Sequence, residues 1–239
     1  MEIKLMKETQ QSIEFNQVKK AFAVFAKDYE IVNHPHTPIR TPFETPNDLD
    51  EKGERQYNLT LLPENITEKE FLEKLAGVLV ISCMDRDAAK PLYDLVQKEN
   101  PKTPLVFLSM AGGIIQEHPQ RKDALKTILG YIGLHQDKID KVIATDHDHT
   151  CGYIKYTLGG TPLANIIGVE PATPGNYSSE KEQKVMKSLI AQNAKENHLQ
   201  ELFGEKLVLG LAVIDRKGNL QLDTNFNEVV PQSLAEIRS

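Results

Sequence analysis

The sequence predicts an α/β fold: a mostly parallel β-sheet flanked by helices and preceded by a helical and extended arm. Three observations carry that expectation. From residue 65 onward, apolar runs of strand length alternate with segments of helical periodicity. The strand-like runs are continuous and rich in β-branched residues, as expected of strands buried on both faces. At 239 residues, 40 % hydrophobic and 26 % charged, the chain can fill one large core.

Each element has its own local reason. "QQSIEFNQVKKAFAVFAKDYEIV" places Phe15, Val18, Phe22 and Phe25 on one side of a helix. "NHPHTPIRTPFETPNDLDEKGERQY" holds four prolines and many polar residues, so it reads as a loop or extended arm. His34 and His36 in it read as surface residues. "NITEKEFLEKLA" opens with a Thr67-x-x-Glu70 capping box and predicts a helix. "GVLVISCMD" predicts a buried strand, and "AAKPLYDLVQKEN" a helix with Pro91 in its first turn. "TPLVFLSMAGG" predicts a second strand. "QRKDALKTILGYIGLHQ" predicts a helix with Ala124, Ile128, Leu129 and Ile132 inward, and "DKVIATD" a third strand. Residues 179 to 203 read as one long charged helix, and "KLVLGLAVIDRKGNLQL" as a strand, a turn near Gly218 and a short strand. The expected organisation is an arm over residues 1–64 and an α/β domain over 65–239.

Composition excludes some functions. A net charge of −6 argues against a nucleic-acid binder, which needs clustered Lys and Arg. No stretch approaches the ~20 apolar residues of a membrane span. The charged N-terminus lacks the apolar core of a signal peptide. A cytoplasmic protein with reduced thiols is the expectation, although two cysteines would also permit one Cys83–Cys151 bridge in an oxidising compartment.

Those cysteines sit in two notable stretches, "VISCMDRD" and "ATDHDHTCGY". Ligands in parallel α/β sheets bind at the carboxyl ends of strands. Cys83 falls at the end of the first strand and His147 at the end of the third, so Cys83, His147 and Cys151 can converge. Two sulfurs and one imidazole suit zinc and leave a fourth position for water, the arrangement of a catalytic site. Taken singly, each cysteine also reads as a buried core thiol and each histidine as a polar loop residue. Asp146 and Asp148 read as outer groups that orient a histidine or face solvent.

With these motifs in place, the chain resembles the β-class carbonic anhydrases. Their Cys-x-Asp-Ser-Arg motif is matched by Cys83-Met84-Asp85-Arg86-Asp87. Their His-x-x-Cys-Gly motif is matched by His147-Asp148-His149-Thr150-Cys151-Gly152. An intervening strand ending in Ala-Gly is matched by "LSMAGG", and a C-terminal strand pair by "VLGLAVIDRKGNL". The resemblance spans about residues 65 to 225.

There are departures. Arg86 lies three residues after Cys83, where the family has its arginine at four. The histidine motif is one residue too long, so either His147 or His149 can be the ligand; His147 is preferred because it follows the strand directly. Ser109-Met110 stands where the family has Arg-Asn.

The resemblance implies zinc held by Cys83, His147 and Cys151, and reversible hydration of carbon dioxide to bicarbonate by zinc-bound hydroxide. It implies Asp85 and Arg86 as catalytic residues, with Arg86 holding Asp85 off the metal. If Arg86 does not reach it, Asp85 becomes the fourth ligand; alternatively it caps the following helix. Met84, Met110 and Ile114 are candidates to line an apolar pocket. The resemblance also implies a homodimer or higher oligomer wrapped by N-terminal helices, although a helix folding back on its own core shows the same pattern. Two alternatives remain: a zinc-hydroxide hydrolase acting on another small electrophile, and a non-catalytic zinc-binding assembly protein. A metal-free protein with its cysteines joined is a third.

Overall fold

A computed structural model of the chain describes residues 14–31, 65–75, 77–83, 86–100, 102–103, 105–147, 151–170, 178–214 and 220–238, with the backbone alone at 26–31, 86–90 and 214. Among these residues, β1 (Gly77–Cys83), β2 (Leu105–Met110), β3 (Ile139–His147), β4 (Leu207–Ile214) and β5 (Leu220–Asp223) form one sheet. Its order is β2-β1-β3-β4-β5, parallel throughout except for the antiparallel β4–β5 pair. The α/β fold read from the strand–helix alternation is the fold observed. His34, His36 and the proline-rich stretch lie outside the described residues.

Strand side chains alternate between two faces, and each face has its own cover. Val78 and Val80 of β1, with Leu105 and Ile143, pack on Leu92, Tyr93 and Val96 of helix α3 (Arg86–Glu99). Leu79 and Ile81 point the other way, into the larger core with Val106, Leu108, Val142, Ala144 and Leu211. That core is closed by α1 (Phe15–Ile31), α2 (Glu68–Lys74), α4 (Pro119–Leu134), α7 (Glu180–Glu196) and α8 (Leu199–Phe203). Because β1 is covered on both faces, all seven of its residues are buried.

Helix α1 spends its apolar face within the chain. Val18, Phe22 and Phe25 are buried, and Phe15 and Phe22 meet Phe71 with ring centroids 5.3 and 6.1 Å apart. Tyr131 of α4 joins the cluster and donates its hydroxyl to Glu68 at the start of α2. The capping box of α2 forms as the sequence predicts: Thr67 Oγ1 accepts from the Glu70 N–H, and the Glu70 carboxylate accepts from the Thr67 N–H at 2.8 Å. Ala124, Ile128, Leu129 and Ile132 of α4 all face the core.

Two local expectations are corrected. Pro91 is the sixth residue of α3, not part of its first turn, since the helix already begins at Arg86. The long C-terminal helix is two helices: α7 stops at Glu196 and α8 starts at Leu199. Between them His198 takes a left-handed φ of 54°, which a continuous helix cannot contain. The shorter helices α5 (Gly152–Thr157), α6 (Leu163–Ile166) and α9 (Leu234–Arg238) complete the described chain. Among the described residues no helix is long and apolar enough to cross a membrane.

Candidate metal centre

Parallel pairing brings the carboxyl ends of β1 and β3 side by side. Ile81 pairs with Ala144; two residues further on stand Cys83 and Asp146. Strand periodicity turns both toward the larger core, on the side of Ile81 and Ala144. His147 follows as the last residue of β3, and the chain returns at Cys151, which immediately precedes α5. One donor atom from each of Cys83, Asp146, His147 and Cys151 lies within 4.8 Å of the others, and all four residues are buried.

The individual separations are close to those a tetrahedral metal requires. Cys83 Sγ and Cys151 Sγ are 4.0 Å apart and are not joined in a disulfide. Two sulfurs each about 2.3 Å from one zinc ion stand ~3.8 Å apart, whereas a disulfide needs ~2.05 Å. Cys151 Sγ lies 3.8 Å from Asp146 Oδ2, and His147 Nε2 lies 3.9 Å from Asp146 Oδ1. The sulfur pair therefore already matches an edge of a zinc tetrahedron, and Asp146 would complete it through one of its two oxygens.

Electrostatics points the same way. Burial first, and then the neighbouring Cys83 sulfur, push the Asp146 carboxyl up to about 8. Hydrogen bonding with Cys83, burial and the Asp146 charge together raise the Cys151 thiol well above its usual range. Two thiols and a carboxyl in one dry pocket resist ionising together, and a divalent cation inverts that preference. The set of two sulfurs, one imidazole and one carboxylate fits zinc, a borderline-soft ion, far better than magnesium or calcium.

The loop after β2 roofs this edge of the sheet. Gly113, with φ of +54°, passes so close that a Cβ there would stand 2.6 Å from the Thr145 carbonyl oxygen and 2.8 Å from the Cys83 nitrogen. At Gly112 a Cβ would strike the Tyr153 ring at 2.2 Å. Gln116, fully buried, holds the loop shut by donating from Nε2 to the carbonyls of Ala111 and Gly113 at 2.8 and 2.9 Å. Its own N–H donates to Asn193 Oδ1 of α7 at 3.2 Å. Met110 and Ile114 are buried in the core that contains Cys83. Ser109 and Ser82, paired in register, approach through their hydroxyls at 3.3 Å.

The sequence-derived residues fall into two groups. Cys83, His147 and Cys151 are brought together. Met84, Asp85, Asp148 and His149 lie outside the described residues, and Arg86 is described by its backbone alone, as the first residue of α3. Of the two readings of Asp146, the solvent-facing one is corrected: the residue is 1 % exposed and lies within the cluster. Its Oδ1 accepts the His147 backbone N–H at 2.7 Å, not the imidazole ring. Residues 142–147 of β3 are all buried, so no in-and-out alternation in the sequence marked Asp146 out. Comparisons with protein-family models, with curated proteins and with solved structures find no match to this chain.

Proposed function

We propose that the chain is a zinc enzyme of the β-class carbonic anhydrase type, catalysing the reversible hydration of carbon dioxide to bicarbonate. The supporting observation is the convergence of Cys83, His147 and Cys151 at the carboxyl edge of a parallel sheet. These residues belong to the two motifs that carry the resemblance. Zinc, when bound, is a Lewis acid that lowers the pKa of water toward neutrality; the handiest benchmark, about 7, belongs to a centre with three histidines. Two thiolates donate more charge than two imidazoles and make the metal a weaker acid.

The chain's own residues supply the rest. Cys83 at the end of β1 and Cys151 just before α5 would anchor the ion, and the Gly112–Gly113 turn packs against Cys83 and Tyr153. Buried Met110 and Ile114 offer an apolar wall suited to a substrate without net charge. The resemblance assigns the orienting of the attacking water to Asp85 and Arg86. We place the protein in the cytoplasm, where its thiols remain reduced, and as a homodimer. Because the apolar face of α1 is engaged within its own chain, that dimer uses other surfaces.

A second reading has a specific observation in its favour: the buried Asp146 offers a fourth donor, as in a non-catalytic zinc-binding protein. Stopped-flow carbon dioxide hydration from about pH 6.5 to 9, on protein of measured zinc content, separates the two. Zinc-dependent turnover that is lost in Asp85→Ala is expected. A zinc-loaded protein inert across the range would remove the carbonic anhydrase reading and leave the binding protein.

A further inference from the structure

We propose that Asp146 is a fourth protein ligand, so that the resting centre is a closed Cys83–Asp146–His147–Cys151 site with no position for water. The inference rests on the zinc-binding part of the reading above and is independent of any turnover.

Position is the first support. The pairing of Ile81 with Ala144 sets Asp146 level with Cys83 and on the same face of the sheet. Its carboxylate reaches the cluster as a consequence of β-register, without any contribution from a loop. The second support is orientation. The His147 N–H fixes Oδ1 at 2.7 Å, while Oδ2 faces Cys151 Sγ at 3.8 Å. A carboxylate that merely orients a ligating histidine bonds to the ring; here the ring nitrogen Nε2 is 3.9 Å from Oδ1, beyond hydrogen-bond range. Charge is the third. A carboxylate stays ionised in so dry a site only when a cation accompanies it. Among the described residues no lysine or arginine pairs with Asp146, and its polar neighbours are Cys83, His147 and Cys151. A metal ion ligated by those neighbours is the cation the geometry provides.

A closed centre changes what the proposed enzyme must do. Four protein donors complete the tetrahedron that zinc prefers in structural sites, and a catalytic site keeps one position free. Substrate chemistry then requires the Asp146 carboxylate to swing away first.

The test uses the full chain loaded with cobalt(II), whose visible bands report coordination, with azide as an exogenous ligand. The expected wild-type spectrum is four-coordinate and unmoved by azide. Asp146→Ala opens a position, so its bands shift on adding azide and its metal affinity falls by about tenfold or more. Asp146→Cys gives a positive signal even if the alanine variant folds poorly: a third thiolate raises the sulfur-to-cobalt charge-transfer intensity by about half. A wild-type spectrum that responds to azide as strongly as Asp146→Ala would overturn the inference and leave the three-ligand zinc reading standing. Unchanged charge-transfer intensity in folded Asp146→Cys would do the same. A wild-type chain that takes up neither cobalt nor zinc overturns both.

Discussion

Gly113 stands where the chain has no room for a side chain. Its left-handed φ and its approach to the Thr145 carbonyl and the Cys83 nitrogen combine two separate demands for glycine. Gly113→Ala should destabilise the protein by about 3 kcal/mol, the sum of backbone strain and a clash with main-chain atoms that cannot rotate away. The thermal midpoint would show it, and zinc content per chain should fall as Cys83 is displaced. The donors themselves are more direct to probe. Cys83→Ser and His147→Ala should each weaken zinc binding by at least about a hundredfold, read by competition with a chromophoric chelator, because a lost ligand leaves the remaining thiols buried and uncompensated. Retention of wild-type affinity by either variant would contradict the assignment of that residue. His149 then becomes the histidine to mutate.

At the scale of elements, the aromatic cluster that seats α1 is the contact with the most at stake. Phe22 is 1 % exposed and touches Phe71 edge-on. Phe22→Ala should cost about 3–5 kcal/mol, measured as a shift in the urea midpoint. A loss below 1 kcal/mol would mean that α1 does not hold this position in solution. The C-terminal edge depends on charge instead. Lys187 of α7 contacts Asp223 of β5 at 2.6 Å and donates to the Asn225 carbonyl at 2.8 Å. Burial resists ionisation of Asp223, but Lys187 and the Asn225 N–H outweigh it and hold its carboxyl below the usual range. A carboxylate with a lowered pKa stabilises the fold above its unfolded value, and that contribution disappears as pH falls through the folded one. Asp223→Asn should therefore cost about 0.5–1 kcal/mol at pH 7 and nothing near pH 2. A difference from wild type that persists in acid would show the loss to be packing and not charge.

For the whole molecule, a metal held by Cys83, His147 and Cys151 would tie the ends of β1 and β3 to the start of α5. Any ion bound by the folded chain alone stabilises it by mass action, about 4 kcal/mol at a thousandfold excess over Kd. In a chain of this length that corresponds to roughly 10 °C in Tm. Chelation should lower Tm by that order, and restored zinc should return it. Equal midpoints with and without chelator would argue that no metal is bound at the working concentration. Light scattering at micromolar concentration tests the proposed dimer; a monomer there would remove it.

Much of the fold was written in local patterns. Continuous apolar runs fixed β1, β2 and β3 as buried strands, and the Thr67–Glu70 box fixed where α2 starts. The break at His198 was hidden, because the charges and apolar positions of α7 run on without interruption into α8. A left-handed residue other than glycine leaves no mark in composition.

The centre divides in the same manner. Cysteine and histidine announce themselves by rarity and by their place at strand ends, so Cys83, His147 and Cys151 could be named from sequence. Asp146 could not, since the chain carries 34 acidic residues, and nearly all such side chains belong in water. Sequence by itself determined which residues have the chemistry to ligate and which strands deliver them. Only the tertiary structure decided which of them meet, because register between β1 and β3 is a property of two strands separated by a whole helix–strand–helix unit. One step of that register sets whether a carboxylate points at a thiol or at the opposite face of the sheet.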